Sequence, residues 1–395
     1  TMRVDSRPAV IALLVALTGC QQDLQSPTQT EPETQLADAE AAPPLRHLSA
    51  GIFHTCGVAT DGKAYCWGTN PFGGLGDGTF EDRLRPTPVV GGLTFRMVSV
   101  GDGFSCGVTT DGLAYCWGWG FDGILGNGST QNSPVPVAVR GDRRYQGVTS
   151  GGSHTCGVST SGAAFCWGNN GFGQLGDGTF LSRRHPVRVS GGDFRQLSTG
   201  TFHTCGIGAD GKAYCWGGNT GGQVGDGSLE DRLVPTAVRG NRSWIDIDAG
   251  LLHTCAVATT NDAYCWGLND EGQLGIGSRS SSQLVKAPRL VLGGQAFVQV
   301  TLGGGFSCGL TISHEGWCWG GNVRGQLGDG SGVSQMSPVR IAGGRHWTLL
   351  AAGYDQACGV ASNGRGLCWG DNLFGELGNG TTDDSAVPRR VVAPM

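Results

Sequence analysis

The 395-residue chain contains no C-x-x-C, although it holds fifteen cysteines. Zinc modules space their ligands two to four residues apart and repeat the pair nearby, so a structural metal site is excluded as the reason for the cysteines. No stretch sustains a helical period, which argues against helical architecture. No carboxylate pair, Ser/His/Asp set or nucleotide loop breaks the sequence at a unique place, and an enzyme needs such a place. The reading is therefore not an enzyme, with no catalytic residues, no metal and no cofactor. The apolar run Pro8 to Leu17 is too short to cross a bilayer. A basic excess is missing too. The formal charge is -5, five negatives fall between residues 21 and 44, and the remainder from residue 45 is near neutral, which argues against a nucleic-acid partner.

Against these absences stands one regularity. Fourteen cysteines form seven pairs, each ten residues apart and each closing on Trp-Gly: Cys56 with Cys66, Cys106 with Cys116, Cys156 with Cys166, Cys205 with Cys215, Cys255 with Cys265, Cys308 with Cys318, and Cys358 with Cys368. The first members recur about every fifty residues, the length of a propeller blade or solenoid unit. In Cys56-Gly-Val-Ala-Thr-Asp-Gly62-Lys-Ala-Tyr-Cys66 a three-residue loop at Thr60 to Gly62 sets Ala59 against Lys63 and Cys56 against Cys66. The last loop residue must be left-handed. It is Gly62, Gly112, Gly162, Gly211 and Gly364, with Asn261 and His314 in the other two units, all residue types that tolerate positive φ. Opposed residues in an antiparallel pair lie close enough for a disulfide. The spacing therefore predicts seven intra-hairpin disulfides, each contributing at most about 3 kcal/mol by loop closure.

The fifteenth cysteine belongs to a different signal. Arg3 and Arg7 precede the short apolar run, which ends Leu17-Thr-Gly-Cys20. This resembles a bacterial lipobox, and the resemblance implies a signal peptide over residues 1–20, lipidation at Cys20 and, with Gln21 following, delivery to the outer membrane of a cell envelope. Export agrees with the disulfides, since both require an oxidising compartment. Residues 21–44, with five carboxylates, no Lys or Arg and no aromatic residue, read as a disordered acidic tether spanning roughly 25 to 30 Å. The protein is thus expected to meet the membrane by a lipid anchor only.

From residue 45 each unit reads as four short strands: a run such as His47-Leu-Ser-Ala-Gly51, the two cysteine strands, and after a Gly-rich loop a segment such as Pro86-Thr-Pro-Val-Val90. The predicted class is all-β, as one toroid of four-stranded antiparallel blades over residues 45–395. The strings Trp67-Gly-Thr-Asn70-Pro-Phe-Gly-Gly-Leu75-Gly76, Trp167-Gly-Asn-Asn170-Gly-Phe-Gly-Gln-Leu-Gly176 and Trp319-Gly-Gly-Asn322-Val-Arg-Gly-Gln-Leu-Gly328, with Gly-x-x-His-Thr-Cys before them at His54, His154, His203 and His253, resemble the regulator of chromosome condensation repeat. That resemblance implies a seven-bladed β-propeller. The start on a Leu-Ser-Ala-Gly strand and the end on Pro388-Arg-Arg-Val-Val392 lead us to expect the C-terminal strand to complete the first blade and close the ring.

Members of that family include a nuclear nucleotide-exchange factor, a plant photoreceptor and secreted bacterial propellers that clamp β-lactamases; they share a scaffold and not a chemistry. Guanine-nucleotide exchange is implied by analogy only, since an exported protein does not meet a cytosolic GTPase. Gly103-Phe-Ser105-Cys-Gly107 and Gly118-Trp-Gly120-Phe-Asp-Gly123 match a nucleophile elbow and a dinucleotide motif, but neither opens a helix. The four repeated histidines are expected to hydrogen-bond within their blades, because the position becomes Phe104, Phe306 and Gln356 elsewhere. What varies among units is the loop after Trp-Gly, where Phe72, Phe172 and Phe374, and Trp119 with Phe121, are candidate binding residues. The function expected is a binding scaffold for an envelope or secreted protein, the propeller itself monomeric; a carbohydrate- or envelope-polymer-binding propeller is the alternative.

Overall fold

The computed structural model describes residues 42–394, so the predicted signal peptide, Cys20 and all but the last three residues of the predicted tether lie outside the described residues. Strands make up the regular structure of the described chain, whose only helical element is a single 3-10 turn, Phe121–Gly123. The pattern that makes a module is clearest in the first. Leu45–Ala50, His54–Ala59, Ala64–Gly68 and Arg83–Pro88 pair in sequence order as an antiparallel sheet. The second and third strands are the cysteine hairpin, in register Cys56↔Cys66. The turn closes as the sequence requires, with Gly62 at φ 88°, and Asn261 and His314 at 67° and 62° in the two units without Gly.

All seven cysteine pairs are bonded within their own hairpins. Cys56 joins Cys66, Cys106 joins Cys116, Cys156 joins Cys166 and Cys205 joins Cys215. Cys255 joins Cys265, Cys308 joins Cys318 and Cys358 joins Cys368. The Cα atoms of each pair lie 4.0–4.1 Å apart. That is the close approach of directly opposed residues, as the turn register predicts.

Seven such modules follow one another, but their strands form six sheets. Five have four strands. The sixth has seven, because strand Arg183–Thr199 pairs with both Ala163–Gly168 and His203–Gly208 and so belongs to two consecutive modules. Elsewhere a turn or bend separates these strands; here pairing continues past Ser190-Gly-Gly-Asp193, with Gly191 and Gly192 at φ 90° and 126° and Asp193 paired with Ala163.

Consecutive modules pack face to face on the Trp-Gly tryptophans, all fully buried. Burying an indole of this size contributes roughly 4–6 kcal/mol before chain entropy is counted. In five modules the indole Nε1 also donates to a loop carbonyl of the preceding module, as Trp216 does to Gln174 at 2.9 Å and Trp266 to Gln223 at 2.9 Å. The indole nitrogens of Trp117 and Trp167 have no hydrogen-bond partner among the described residues.

The last module packs on the first in the same manner. Leu45, Leu48, Tyr65 and Trp67 share a core with Val360, Leu377 and Val391, Leu45 N donates to Gly364 O at 2.8 Å, and Trp67 Nε1 donates to Glu376 O at 2.8 Å. The C-terminal strand does not complete the first sheet, however. Ser385–Arg390 pairs with Gly366–Gly370 of its own module. The chain enters at Leu45 in phase with a whole module, so no strand is left over to exchange.

The first strands of all seven modules line one cavity of about 330 Å³. Neighbouring first strands are joined there by side chains: Ser49, Ser99, Thr149, Ser198, Asp248 and Thr301 each accept from a backbone N–H of the following module. The corresponding residue of the last module is Ala351.

Candidate binding face

Because each sheet is antiparallel, the connections alternate between two ends of the molecule. One end carries the cysteine-hairpin turns and the links between modules. The other carries the loops between the first and second strands and the long loops after Trp-Gly, where the predicted binding residues lie.

An asparagine shapes those long loops. The Asn70 side chain is fully buried; its Oδ1 accepts from Leu75 N at 3.0 Å, and its Nδ2 donates to Thr79 O at 3.0 Å. Asn170, Asn219, Asn269, Asn322 and Asn372 repeat the Oδ1 bond. Asp77, Asp177 and Asp226 anchor the far ends of their loops on Arg83, Arg183 and Arg232 at 2.6–2.9 Å. Burial works against their ionisation, but hydrogen bonds from Thr79, Thr179 or Ser228 and from the arginines hold these carboxyls below the usual range.

The second module lacks the asparagine. Gly120 stands in its place and the loop turns through the 3-10 segment with Asp122 at φ 56°. That turn puts Trp119 and Phe121 face to face, ring centres 5.6 Å apart and 12° from parallel. Phe72 of the first module lies 5.8 Å from Trp119, tilted by 30°. Three of the five predicted binding residues thus form one ladder across two modules, with Phe121 57% and Phe72 38% exposed. Phe172 and Phe374 do not join it. Phe172 meets Phe202 edge-on at 5.2 Å, and Phe374 meets Phe53 at 5.7 Å.

These contacts show a rule that the single repeats conceal. At five junctions the fifth residue after the motif tryptophan sits against the residue preceding the buried His or Phe in the following module. Phe72 crowds Gly103 and Glu271 crowds Gly305, just as the phenylalanine pairs meet. The aromatics therefore serve packing between modules and exposure together. Phe53 and Phe202 were missed by the sequence reading; the signal was there, since their position varies through Phe53, Gly103, Ser153, Phe202, Leu252, Gly305 and Asp355.

The repeated histidines also act between modules, which corrects the expectation of bonds within a blade. Nε2 of His54, His154, His203 and His253 meets the hydroxyl of Ser105, Thr204, Thr254 and Ser307 in the next module at 2.7–3.0 Å. His54 and Cys56, two residues apart, share one face of their strand, and Cys56 Sγ lies 3.5 Å from the same Ser105 hydroxyl, so that face looks across the junction. Complete burial lowers the first three imidazoles to about 3 and His253 to about 4, so they are neutral. Among the described residues no group of three or more His, Cys, Asp or Glu could hold a metal ion.

This face is acidic. At its centre Asp102 is raised to about 8 by burial and makes no hydrogen bond or ion pair among the described residues. In the last module Asp355 and Glu376 are raised to about 6 and 7 by burial and by neighbouring carboxylates. Glu376 occupies the place of Gln174. Gln174 donates through Nε2 to Asn169 Oδ1 at 2.9 Å; in the last module Glu376 Oε1 and Asp371 Oδ1 are both buried without a hydrogen-bond partner.

The geometry agrees with known proteins. Human WBSCR16 is similar at 21% identity over 83% of this chain and 93% of its own, with a TM-score of 0.75. Prp20p of Saccharomyces cerevisiae, a structure described with its binding properties to Gsp1p and histones, is 20% identical over 87% and 86%, with a TM-score of 0.74. The CRINKLY ectodomain of the Arabidopsis thaliana receptor kinase ACR4 is 21% identical over 88% and 99%, with a TM-score of 0.54. No curated protein sequence matches the chain. The RCC1-like domain model matches residues 16–357, and with its repeated antiparallel sheets the chain belongs to the RCC1-like domain family.

Proposed function

We propose that the protein is a membrane-tethered, extracytoplasmic binding scaffold that captures another protein on its Trp-Gly loop face and performs no catalysis. The seven modules make one seven-bladed propeller whose ring closes by the packing of the last module on the first, a reading supported by the cavity that all seven first strands share. The observation that carries the function is the ladder Phe72–Trp119–Phe121. Exposed rings with few rotors, held by neighbours, are the groups that anchor protein interfaces. Seven disulfides support residence in an oxidising compartment. The same bonds weigh against nucleotide exchange on a cytosolic GTPase, and the tether reading rests on Leu17-Thr-Gly-Cys20.

The test is capture of envelope and secreted proteins by the full chain and by a Trp119→Ala, Phe121→Ala variant. Loss of at least about tenfold in capture, with little change in thermal stability, is the expected result for a hot spot. Capture unchanged by the pair, or binding of isolated glycans in place of protein, overturns the reading. Labelling with palmitate that persists in Cys20→Ser removes the anchor from it.

A further inference from the structure

The cavity between the first strands has carboxylates in its wall and nothing to answer them. Asp102, Asp246 and Asp248 line it, and no Lys or Arg does. Its imidazole, His47, is lowered to about 4 by burial and by Arg46, and is neutral. Tyr354, also in the wall, is raised by burial and by Asp355 and Asp102 and adds no positive charge. Asp246 and Asp248 lie about 7 Å apart on one face of strand Trp244–Ala249. Asp246 accepts from Gln196 Nε2 at 2.7 Å and Val300 N at 2.8 Å, and Asp248 from Ser198 Oγ at 2.5 Å and Leu302 N at 2.8 Å. The sheet needs only an acceptor at these places: Gln299 Oε1 takes the equivalent bond from Leu350 N, and Ser99 Oγ that from Ser150 N. The negative charge is surplus to the fold, and each carboxylate oxygen keeps a second lone pair. Asp102 follows strand Phe95–Val100 and carries the same charge to the Trp-Gly end of the cavity. Its Oδ2 lies over Gly152, 3.2 Å from where a Cβ would stand.

We propose that this cavity binds a linear aliphatic polyamine, its ammonium groups set against Asp102, Asp248 and Asp246 in turn. Carboxylates confined to one cavity repel each other, and an ammonium brings three donors and the opposite charge to each. A metal ion needs ligands that converge on one point, whereas these carboxylates stand at successive levels along the strands. That matches a chain with its charges spaced along it. Ile52, Leu251 and Leu349 in the same wall offer apolar contact to the methylenes between them. Burial raises Asp102 to about 8 and Asp248 to about 7, and Asp246 upward as well. Bound ammonium groups therefore displace protons from these carboxyls. The inference goes beyond the proposed function by giving the molecule a small-molecule site, and it rests on neither the anchor nor the aromatic ladder.

The test is calorimetric titration of the full chain with spermidine near neutral pH. Binding of one spermidine per chain is expected, with a heat that changes between buffers of different ionisation enthalpy because protons are released. A variant with Asp102→Gly, Asp246→Gln and Asp248→Ser copies the residues that other modules place in the same rows, as Gly152, Gln299 and Ser99. It is expected to keep the wild-type melting temperature and to bind at least about tenfold more weakly. Asp102→Asn, which breaks no hydrogen bond, is expected to weaken binding by a smaller factor. Pentanediol, which has the methylene chain without the charge, is expected not to bind. The Trp119→Ala, Phe121→Ala variant keeps spermidine binding, which separates this proposal from the fate of partner capture. No binding of spermidine overturns it, as does binding that the carboxylate substitutions leave unchanged or that pentanediol equals.

Discussion

The junction between the third and fourth modules and the junction between the last and the first share a backbone plan and differ in side chains. At the former, Thr149 bonds Thr199, His154 bonds Thr204, and Gln174 has both amide ends satisfied. At the latter, Ala351 offers no hydroxyl, Gln356 bonds Gly51 O in place of an imidazole–hydroxyl pair, and Glu376 leaves one buried oxygen bare. Yet in both the loop carbonyl accepts from the next module's threonine hydroxyl and indole, Gln174 from Thr204 and Trp216, Glu376 from Thr55 and Trp67. Backbone acceptors thus fix how modules meet, and side chains set how each junction responds to acid and base.

The comparison breaks most readily with acid. The four buried histidines have folded pKa values below the ordinary 6.5, so their contribution is present above pH 6.5 and is lost as pH falls toward 3–4. Each can cost up to about 1.4 kcal/mol per pH unit in that range. Buried carboxyls such as Asp102, Asp355 and Glu376, raised to about 8, 6 and 7, gain stability over the same range, so the imidazole contribution is read by difference: relative to the parent chain, His154→Gln, which copies the residue at the last junction, is expected to lose less stability as pH falls from 7 to 4. A slope unchanged by that substitution would mean that the imidazole is not the group being titrated.

Next in size is removal of a junction indole. Trp216→Ala and Trp67→Ala each delete a fully buried ring and are expected to cost about 3–5 kcal/mol in denaturant unfolding. A much smaller loss for Trp67 would show that the last and first modules are weakly packed in solution.

The third prediction concerns Glu376. Its carboxyl is raised to about 7, so the stability it gives is complete below its unfolded value and disappears as pH rises through 7. Glu376→Gln restores the donor that the other loops use and is expected to stabilise by about 1–3 kcal/mol at pH 8, the cost of a buried unsatisfied polar atom, and by little at pH 5. A destabilised variant at pH 8 would show that the bare oxygen carries no penalty. The smallest effect is expected from Ala351→Ser, which supplies the missing acceptor for Ala50 N and should add about 1 kcal/mol by melting measurements.

How much of this could be read in advance follows from distance along the chain. The hairpin, its left-handed turn residue and the disulfide lie within eleven residues, and Gly62, Asn261 and His314 signalled them directly. The four-strand order and the family resemblance followed from the fifty-residue repeat. The junctions did not. His54 and Ser105 are 51 residues apart, Trp67 and the Glu376 carbonyl 309, and no local spacing ties such partners together. Trp119 and Phe121 could be picked out because the loop after Trp-Gly varies among the units and aromatics recur there irregularly, but their stacking depends on the 3-10 turn, and the arrival of Phe72 beside them on the packing of two modules. The phase of the C-terminal strand was misjudged for the same reason, since both readings leave the repeat pattern intact.

Fourteen thiols could in principle join in a very large number of ways, and the ten-residue spacing removes almost all of them by order of arrival. A chain crossing a membrane with its N-terminus leading presents Cys56 and Cys66 together, while Cys106 follows forty residues after Cys66. Among the fourteen paired thiols, each meets its proper mate before the next pair emerges. In a chain exported as proposed, oxidation can therefore proceed without shuffling, and a mispaired chain would report a fault in the order of emergence rather than in the final packing.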